Sequence, residues 1–212
     1  MGVPLIPDRA RSRLQPTRWS RGRADDFDPQ RLGVLAIAAS AVAALVVAAT
    51  IGAVPLAGAV AVALLVPAAV VDADERRLPD VWVVAALGAL IVSLTADLAF
   101  GGSTLTDPAL GGIVGGAAAM ASPVLALHLV SPASMGFGDV KAAAVLGAGV
   151  GTVDWRLGAV ALCVAALSGA AVGVLARRRT IAFGPFLVFG AGLALLAHEP
   201  LAAVFFSGGV AS

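Results

Sequence analysis

The chain of 212 residues is poor in the residue types that many functional sites require, with one cysteine, two histidines and no tyrosine. The single cysteine, Cys163, excludes a disulfide framework and every zinc site built from several cysteines. Two histidines are too few for a histidine-rich metal site. Charged residues make up only 13% of the chain, about half the usual share in soluble domains. We therefore expect no metal and no cofactor, and we do not expect a soluble monomer.

The few charges are concentrated at the N-terminus. Residues 1–31 hold half of the 14 Lys and Arg residues, and 59% of the whole chain is hydrophobic. No basic stripe with interleaved aromatic residues is present, which argues against a nucleic-acid partner. Because 1–31 is rich in Arg, Asp, Pro and Ser, we predict that it is a disordered cytoplasmic tail and that a membrane protein follows it.

Seven apolar runs follow the tail, most of them close to the roughly 20 residues that a membrane-spanning helix needs. We therefore predict an all-α fold, a polytopic membrane bundle of about seven helices in contact with the lipid bilayer. The first run is too long for the apolar part of a cleaved signal, so 32–55 is interpreted as an additional transmembrane helix before a membrane core at 56–206. The predicted helices are 32–54, 56–71, 81–100, 109–130, 140–153, 157–176 and 181–197.

The positions of Lys and Arg predict the orientation, since cytoplasmic loops are enriched in both. With seven helices, 13 of these 14 residues fall on one side of the membrane and Arg156 alone falls on the other. The prediction is a cytoplasmic N-terminus in the cell membrane. The run 140–153 is short, so we expect the loop before it to dip below the cytoplasmic surface of the membrane.

Three aspartates stand at membrane level, where a carboxylate costs a few kcal/mol and needs a reason. Asp97 is near the outer end of its helix and is interpreted as an interfacial residue. Asp72 directly follows the run 56–71, and Asp139 directly precedes the run 140–153. Both face the cytoplasm at similar depth, so we expect the two carboxyl groups to meet.

Two adjacent carboxyl groups share one proton, which leaves one as general base and the other as general acid. That pair can activate water for attack on a peptide carbonyl. Gly136 and Gly138 are expected to allow positive φ and a close approach of substrate backbone to Asp139. As a hypothesis, Asp139 at a helix N-terminus is the more readily ionised of the two, and Asp72 at a helix C-terminus is protonated.

Three segments resemble those of the prepilin peptidases, which are membrane aspartic proteases of the Gly-x-Gly-Asp type. Val71 to Asp80, read as VDADERRLPD, is similar to the first-aspartate segment of that family. Met135 to Lys141, read as MGFGDVK, is similar to the second, and Ala182 to Phe186, read as AFGPF, resembles a short pattern at the last helix. The resemblance covers about residues 56–200.

The resemblance implies that Asp72 and Asp139 are catalytic and that prepilin or pseudopilin precursors lose their basic leader at the cytoplasmic membrane boundary. The residues that would shape the site or bind substrate are Gly136, Gly138, Lys141, Gly184 and Pro185. Larger members have a cysteine-containing domain associated with methyl transfer, and residues 1–31 contain no cysteine. The resemblance therefore supports a short form of the peptidase. The sequence does not indicate an oligomeric state.

Three alternatives remain open from the sequence alone. A small ion- or proton-coupled transporter could use Asp72, Asp97 and Asp139, although no inverted repeat is evident. A presenilin-like intramembrane protease also uses Gly-x-Gly-Asp, but that group pairs the motif with a Tyr-Asp segment and this chain has no tyrosine. An inert assembly factor for a pilus machine would leave the paired acids unexplained. Asp80 is expected to cap the helix after it, and His128 to be a satisfied interior or interfacial residue.

Overall fold

The computed structural model describes residues 49, 55–75, 78, 80–99, 107–132, 135–175, 177 and 181–205. Within this part of the chain all regular structure is helical, which confirms the predicted all-α class. The predicted tail 1–31 and helix 32–54 lie outside the described residues, apart from Ala49. The described helices are α1 (Leu56–Glu75), α2 (Asp80–Ala99), α3 (Asp107–Val130), α4 (Phe137–Gly151), α5 (Arg156–Leu175), α6 (Gly184–Leu196) and α7 (His198–Phe205).

Four of these helices, α1, α2, α3 and α5, are long and apolar enough to cross a membrane, and α6 is a shorter apolar helix. Fewer than a third of the residues in the spans of α2, α3 and α5 are buried, and large apolar side chains such as Val84, Ile91, Leu129 and Leu167 are exposed. Exposure of so many large apolar side chains to water is unfavourable, whereas their contact with lipid is favourable. The chain is a multi-pass membrane protein.

Helix α4 lies at the centre of the described helices and contacts α1, α2, α3, α5 and α6. Ten of its fifteen residues are buried. Its small residues allow this crowding: a Cβ on Gly112 of α3 would lie 2.7 Å from the carbonyl oxygen of Gly151, and one on Gly147 would lie 2.9 Å from Cβ of Met120. Because the helix backbones nearly touch, any side chain at these glycines would push α3 and α4 apart.

Three helix boundaries differ from the prediction in ways that matter for the site. The predicted start at residue 140 is wrong, because α4 begins at Phe137 and includes Asp139 in its first turn. The predicted end at residue 71 is wrong, because α1 continues through Asp72 to Glu75. The run 181–197 contains a helix of only Gly184–Leu196, followed by a turn at Ala197 and a separate short helix, α7. The apolar run alone did not reveal the extension of α1, because a charged residue does not by itself end a helix when a tertiary contact compensates it.

Candidate active site

Asp72 lies in the last turn of α1, inside the apolar span Leu56–Ala73. Its relative exposure is 6%, and it is the one buried charged or polar residue among those whose burial the structure describes. One oxygen of its carboxyl group, Oδ2, accepts a hydrogen bond of 3.1 Å from the backbone N–H of Gly184. Since the first N–H groups of a helix have no partner within the helix, the start of α6 supplies a donor that Asp72 can use.

Pro185 and Gly184 explain why the N-terminus of α6 can donate a backbone hydrogen bond to Asp72. Pro185 lies in the first turn of α6, where its missing N–H costs nothing and its fixed φ suits the helix. A Cβ on Gly184 would lie 2.7 Å from Oδ2 of Asp72 and 2.8 Å from Cδ1 of Leu78. A side chain at this position would displace the Asp72 carboxyl group and the end of the Leu78 side chain, so glycine allows the backbone of α6 to reach the carboxyl group without such a shift.

Asp139 lies in the first turn of α4, one residue before the apolar run 140–153. Its N–H donates to the carbonyl oxygen of Gly136 at 3.1 Å. Burial raises the pKa of Asp139 to about 6, the negative charge of Asp72 adds to that rise, and a backbone hydrogen bond from Gly136 partly offsets it. Electrostatic coupling of the two carboxyl groups requires that they be close, so the fold brings Asp72 and Asp139 into one site.

The raised pKa of Asp139 argues against the hypothesis that Asp139 is the more readily ionised of the two aspartates. A position at a helix N-terminus favours the charged form, but here removal from water and the neighbouring Asp72 outweigh it. Asp139 therefore keeps a proton up to about pH 6. Because the charge of Asp72 contributes to this value, the two carboxyl groups titrate as a pair.

Gly136 and Gly138 are close to the site for a different reason from the one expected. The expectation of positive φ is wrong for both: Gly136 has φ −70°, and Gly138 is in the right-handed first turn of α4. A Cβ on Gly138 would lie 3.2 Å from Cβ of Leu78, whereas one on Gly136 would come no closer than 3.8 Å to Oδ2 of Asp139. Leu78 thus packs between Gly138 and Gly184, beside both aspartates.

The Lys141 ammonium has two partners in the structure, a carboxylate and an aromatic ring. Its Nζ lies 3.0 Å from Oδ1 of Asp80 and 5.4 Å from the centre of the Phe137 ring. Asp80 is the first residue of α2, so its carboxylate pairs with α4 in addition to any effect on the start of its own helix. Sequence reasoning missed this ion pair, although the pattern Leu-Pro-Asp placed Asp80 at the end of the first-aspartate segment.

His128, in the last turn of α3, is satisfied as expected and contacts the site loop. Its Nδ1–H donates to the carbonyl oxygen of Met135 at 2.7 Å, and its ring centre lies 5.5 Å from that of Phe137. Asp97 lies near the opposite end of α2 from Asp80, so the fold does not add it to the pair. Among the described residues, no group of three His, Cys, Asp or Glu side chains could hold a metal ion.

Comparisons with known proteins identify the family of the chain. The profile of the type IV leader peptidase family matches residues 59–175, which is more than half of the chain and includes both aspartates. A prepilin leader peptidase/N-methyltransferase of Pseudomonas aeruginosa is 35% identical over 140 residues, which are 62% of this chain and 46% of that relative. The chain thus spans about half the length of the curated relative it matches. A comparison with solved structures returns no match.

Proposed function

Because the chain belongs to the type IV leader peptidase family, we propose that it is a membrane aspartic endopeptidase that removes the leader peptide from pilin-like precursors. The observation that carries this proposal is the coupled pair of Asp72 and Asp139 at the ends of α1 and α4. The curated relative, named for prepilin leader cleavage, supplies the substrate class. The proposal covers peptide cleavage and not N-methylation.

In the proposed reaction the reactive form of the pair holds one proton. The ionised carboxyl removes a proton from water, and the water oxygen attacks the scissile carbonyl carbon. The protonated carboxyl donates to the carbonyl oxygen as negative charge develops on it. Collapse of the tetrahedral intermediate breaks the C–N bond, and a proton passes to the leaving nitrogen. Both carboxyl groups must therefore reach the same peptide bond.

The glycines near the pair have different parts in the proposed site. The Cβ positions of Gly138 and Gly184 face Leu78, and that of Gly184 also faces Asp72, so these two glycines allow the segments of the site to pack closely. Gly136 is exposed, and a Cβ there would meet only ordinary contacts beside Asp139. We therefore assign to Gly136 the place where a substrate backbone approaches Asp139.

We place the site at the cytoplasmic face of the cell membrane. The support is the distribution of Lys and Arg, 13 of which fall on the side that carries both aspartates in the predicted topology. A basic leader that stays in the cytoplasm would meet the site there, with the apolar segment after it already in the membrane.

The experiment is co-expression with a precursor that carries a basic leader before an apolar helix. The unchanged chain is expected to yield a shortened product, whose new N-terminus is read by mass spectrometry. Asp72→Asn and Asp139→Asn are each expected to slow cleavage by at least about 10²-fold, because each removes one of the two proton-transfer groups. Asp97→Asn, the matched control at the other end of α2, is expected to cleave normally. Normal processing by either of the first two variants contradicts the proposal.

A further inference from the structure

The segment that carries Asp139 is held on two sides of Phe137 by contacts that the proposed reaction does not use. On one side, His128 binds the carbonyl oxygen of Met135 and packs its ring against Phe137. On the other, the Lys141 ammonium lies over the same ring. Met135 and Phe137 are thereby held against the end of α3. These contacts alone do not fix the position of Asp139 relative to Asp72.

The contact that links the segment of Asp139 to the segment of Asp72 is the ion pair between Lys141 and Asp80, with Nζ and Oδ1 3.0 Å apart. Lys141 follows Asp139 by two residues on the same helix, and Asp80 follows Asp72 by eight residues across the connection from α1 to α2. The pair therefore joins the two chain segments that carry the aspartates. Leu78, which contacts Gly138, lies on the same connection.

The ion pair is not a major source of global stability. The Lys141 side chain is 40% exposed and that of Asp80 is 65% exposed, and exposed pairs of this kind contribute little to unfolding free energy. Its consequence is local, because it fixes the first turn of α4 against the first turn of α2. Reaction rates are sensitive to such placement, since a shift of about 1 Å in a catalytic group can cost about 10²-fold.

We propose that Lys141 is a positioning residue, which sets the separation of Asp72 and Asp139 through its ion pair with Asp80 and does not itself bind substrate or a lipid headgroup. This inference rests on the proposed peptidase function. It assigns to Asp80 a part in the same site, although Asp80 does not contact the reacting atoms.

The test uses the full chain in liposomes with a leader-bearing precursor peptide. Lys141→Met and Asp80→Asn are each expected to lower kcat by about fivefold with little change in KM, since an exposed ion pair biases the position of the two aspartates only moderately and substrate contacts remain. The exchange variant, Asp80→Lys with Lys141→Asp, is expected to recover most of the lost kcat. Because the exchange places an acid near Asp139, each variant is compared at its own pH optimum.

The matched control for Lys141→Met is Arg156→Met. Arg156 also lies over an aromatic ring, 5.6 Å from the centre of Trp155, but it begins α5 near the far end of α4 from Asp139. The Arg156→Met substitution is expected to leave kcat unchanged. Lys141→Arg, which keeps a cation within reach of Asp80, is expected to retain activity within about threefold and covers the case in which the methionine variant fails to fold.

Several outcomes overturn the inference. If Lys141→Met raises KM at unchanged kcat and the exchange variant does not recover, Lys141 binds substrate directly. If both single variants cleave at the normal rate, the ion pair does not position the aspartates. Failure of the unchanged chain to cleave any precursor is a different result, because it counts against the proposed function itself.

Discussion

The two aspartates reach the same site by different structural means. Asp72 is buried within a long apolar helix and is held by a backbone donor 112 residues away in sequence. Asp139 is partly buried in the first turn of a short helix, and its loop is held largely by neighbours close in sequence, such as His128. Asp72 thus depends on a contact with a distant helix, whereas Asp139 depends in addition on local contacts of the residues just before it. Changes to packing and changes to the turn should therefore have separable effects.

The largest effect is expected on the Asp72 side, from Gly184→Ala. The added Cβ would lie 2.7 Å from Oδ2 of Asp72 and 2.8 Å from Cδ1 of Leu78, so both side chains must shift and the hydrogen bond from the Gly184 N–H to Asp72 is weakened. We expect a fall in cleavage rate of about 10²-fold, measured on purified protein with a precursor peptide.

The control for that change is Gly88→Ala in α2, where a Cβ would meet nothing within 4 Å. It is expected to leave the rate unchanged and to increase the thermal stability slightly, since alanine favours helix more than glycine does. Equal activity of the two variants would show that the packing of α6 against Asp72 does not matter for catalysis.

A smaller, graded effect is expected from pH. As pH rises, the pair passes from two protons to one and then to none, and the reaction requires one. The pKa of Asp139 is about 6, and the negative charge of Asp72 contributes to it, so Asp139 is the carboxyl group that loses its proton near this pH. We predict that kcat/KM falls as pH rises above about 6, by about tenfold per unit, as measured over pH 4.5 to 8. A rate that increases steadily from pH 6 to 8 would contradict this assignment.

The smallest effect is expected on the Asp139 side, from His128→Ala. This change removes the hydrogen bond to Met135 and the ring contact with Phe137, and a single hydrogen bond is worth about 1 kcal/mol. We expect about a fivefold fall in kcat, because the turn loosens but the ion pair of Lys141 remains.

His198→Ala is the matched control for His128→Ala. His198 also donates from Nδ1 to a carbonyl oxygen, that of Leu195 at 2.8 Å, but at the end of α6 away from the site. The activity of the His198→Ala variant should equal that of the unchanged chain. If both histidine variants lose the same activity, the loss reflects general destabilisation and not the turn before Asp139.

The sequence predicted what depends on local pattern. The helical class, most helix positions, and the family are confirmed, because apolar length and short motifs carry them. The pairing of Asp72 with Asp139 came from topology alone, since alternating helices return both segments to one side of the membrane. The orientation of the N-terminus and the helix 32–54 stay predictions.

The sequence did not predict the contacts between helices. The membrane helices are apolar on every side, so periodicity does not distinguish the face toward lipid from the face toward the core. The bond from Gly184 to Asp72, the place of Leu78 and the partner of Lys141 all depend on distances between helices. The continuation of α1 through Asp72 to Glu75 was missed for the same reason, because the donor that compensates Asp72 lies in a distant helix.

The most direct measurement of the central claim is an infrared titration of the Asp139 carboxyl group, in isotope-labelled protein in lipid nanodiscs, with and without Asp72→Asn. In the unchanged chain Asp139 is expected to titrate near its pKa of about 6, and loss of the Asp72 charge should lower that midpoint while burial keeps it above 3.8. Asp97→Asn should leave the midpoint unchanged. A midpoint that is the same with and without Asp72 would mean that the two carboxyl groups do not share a site.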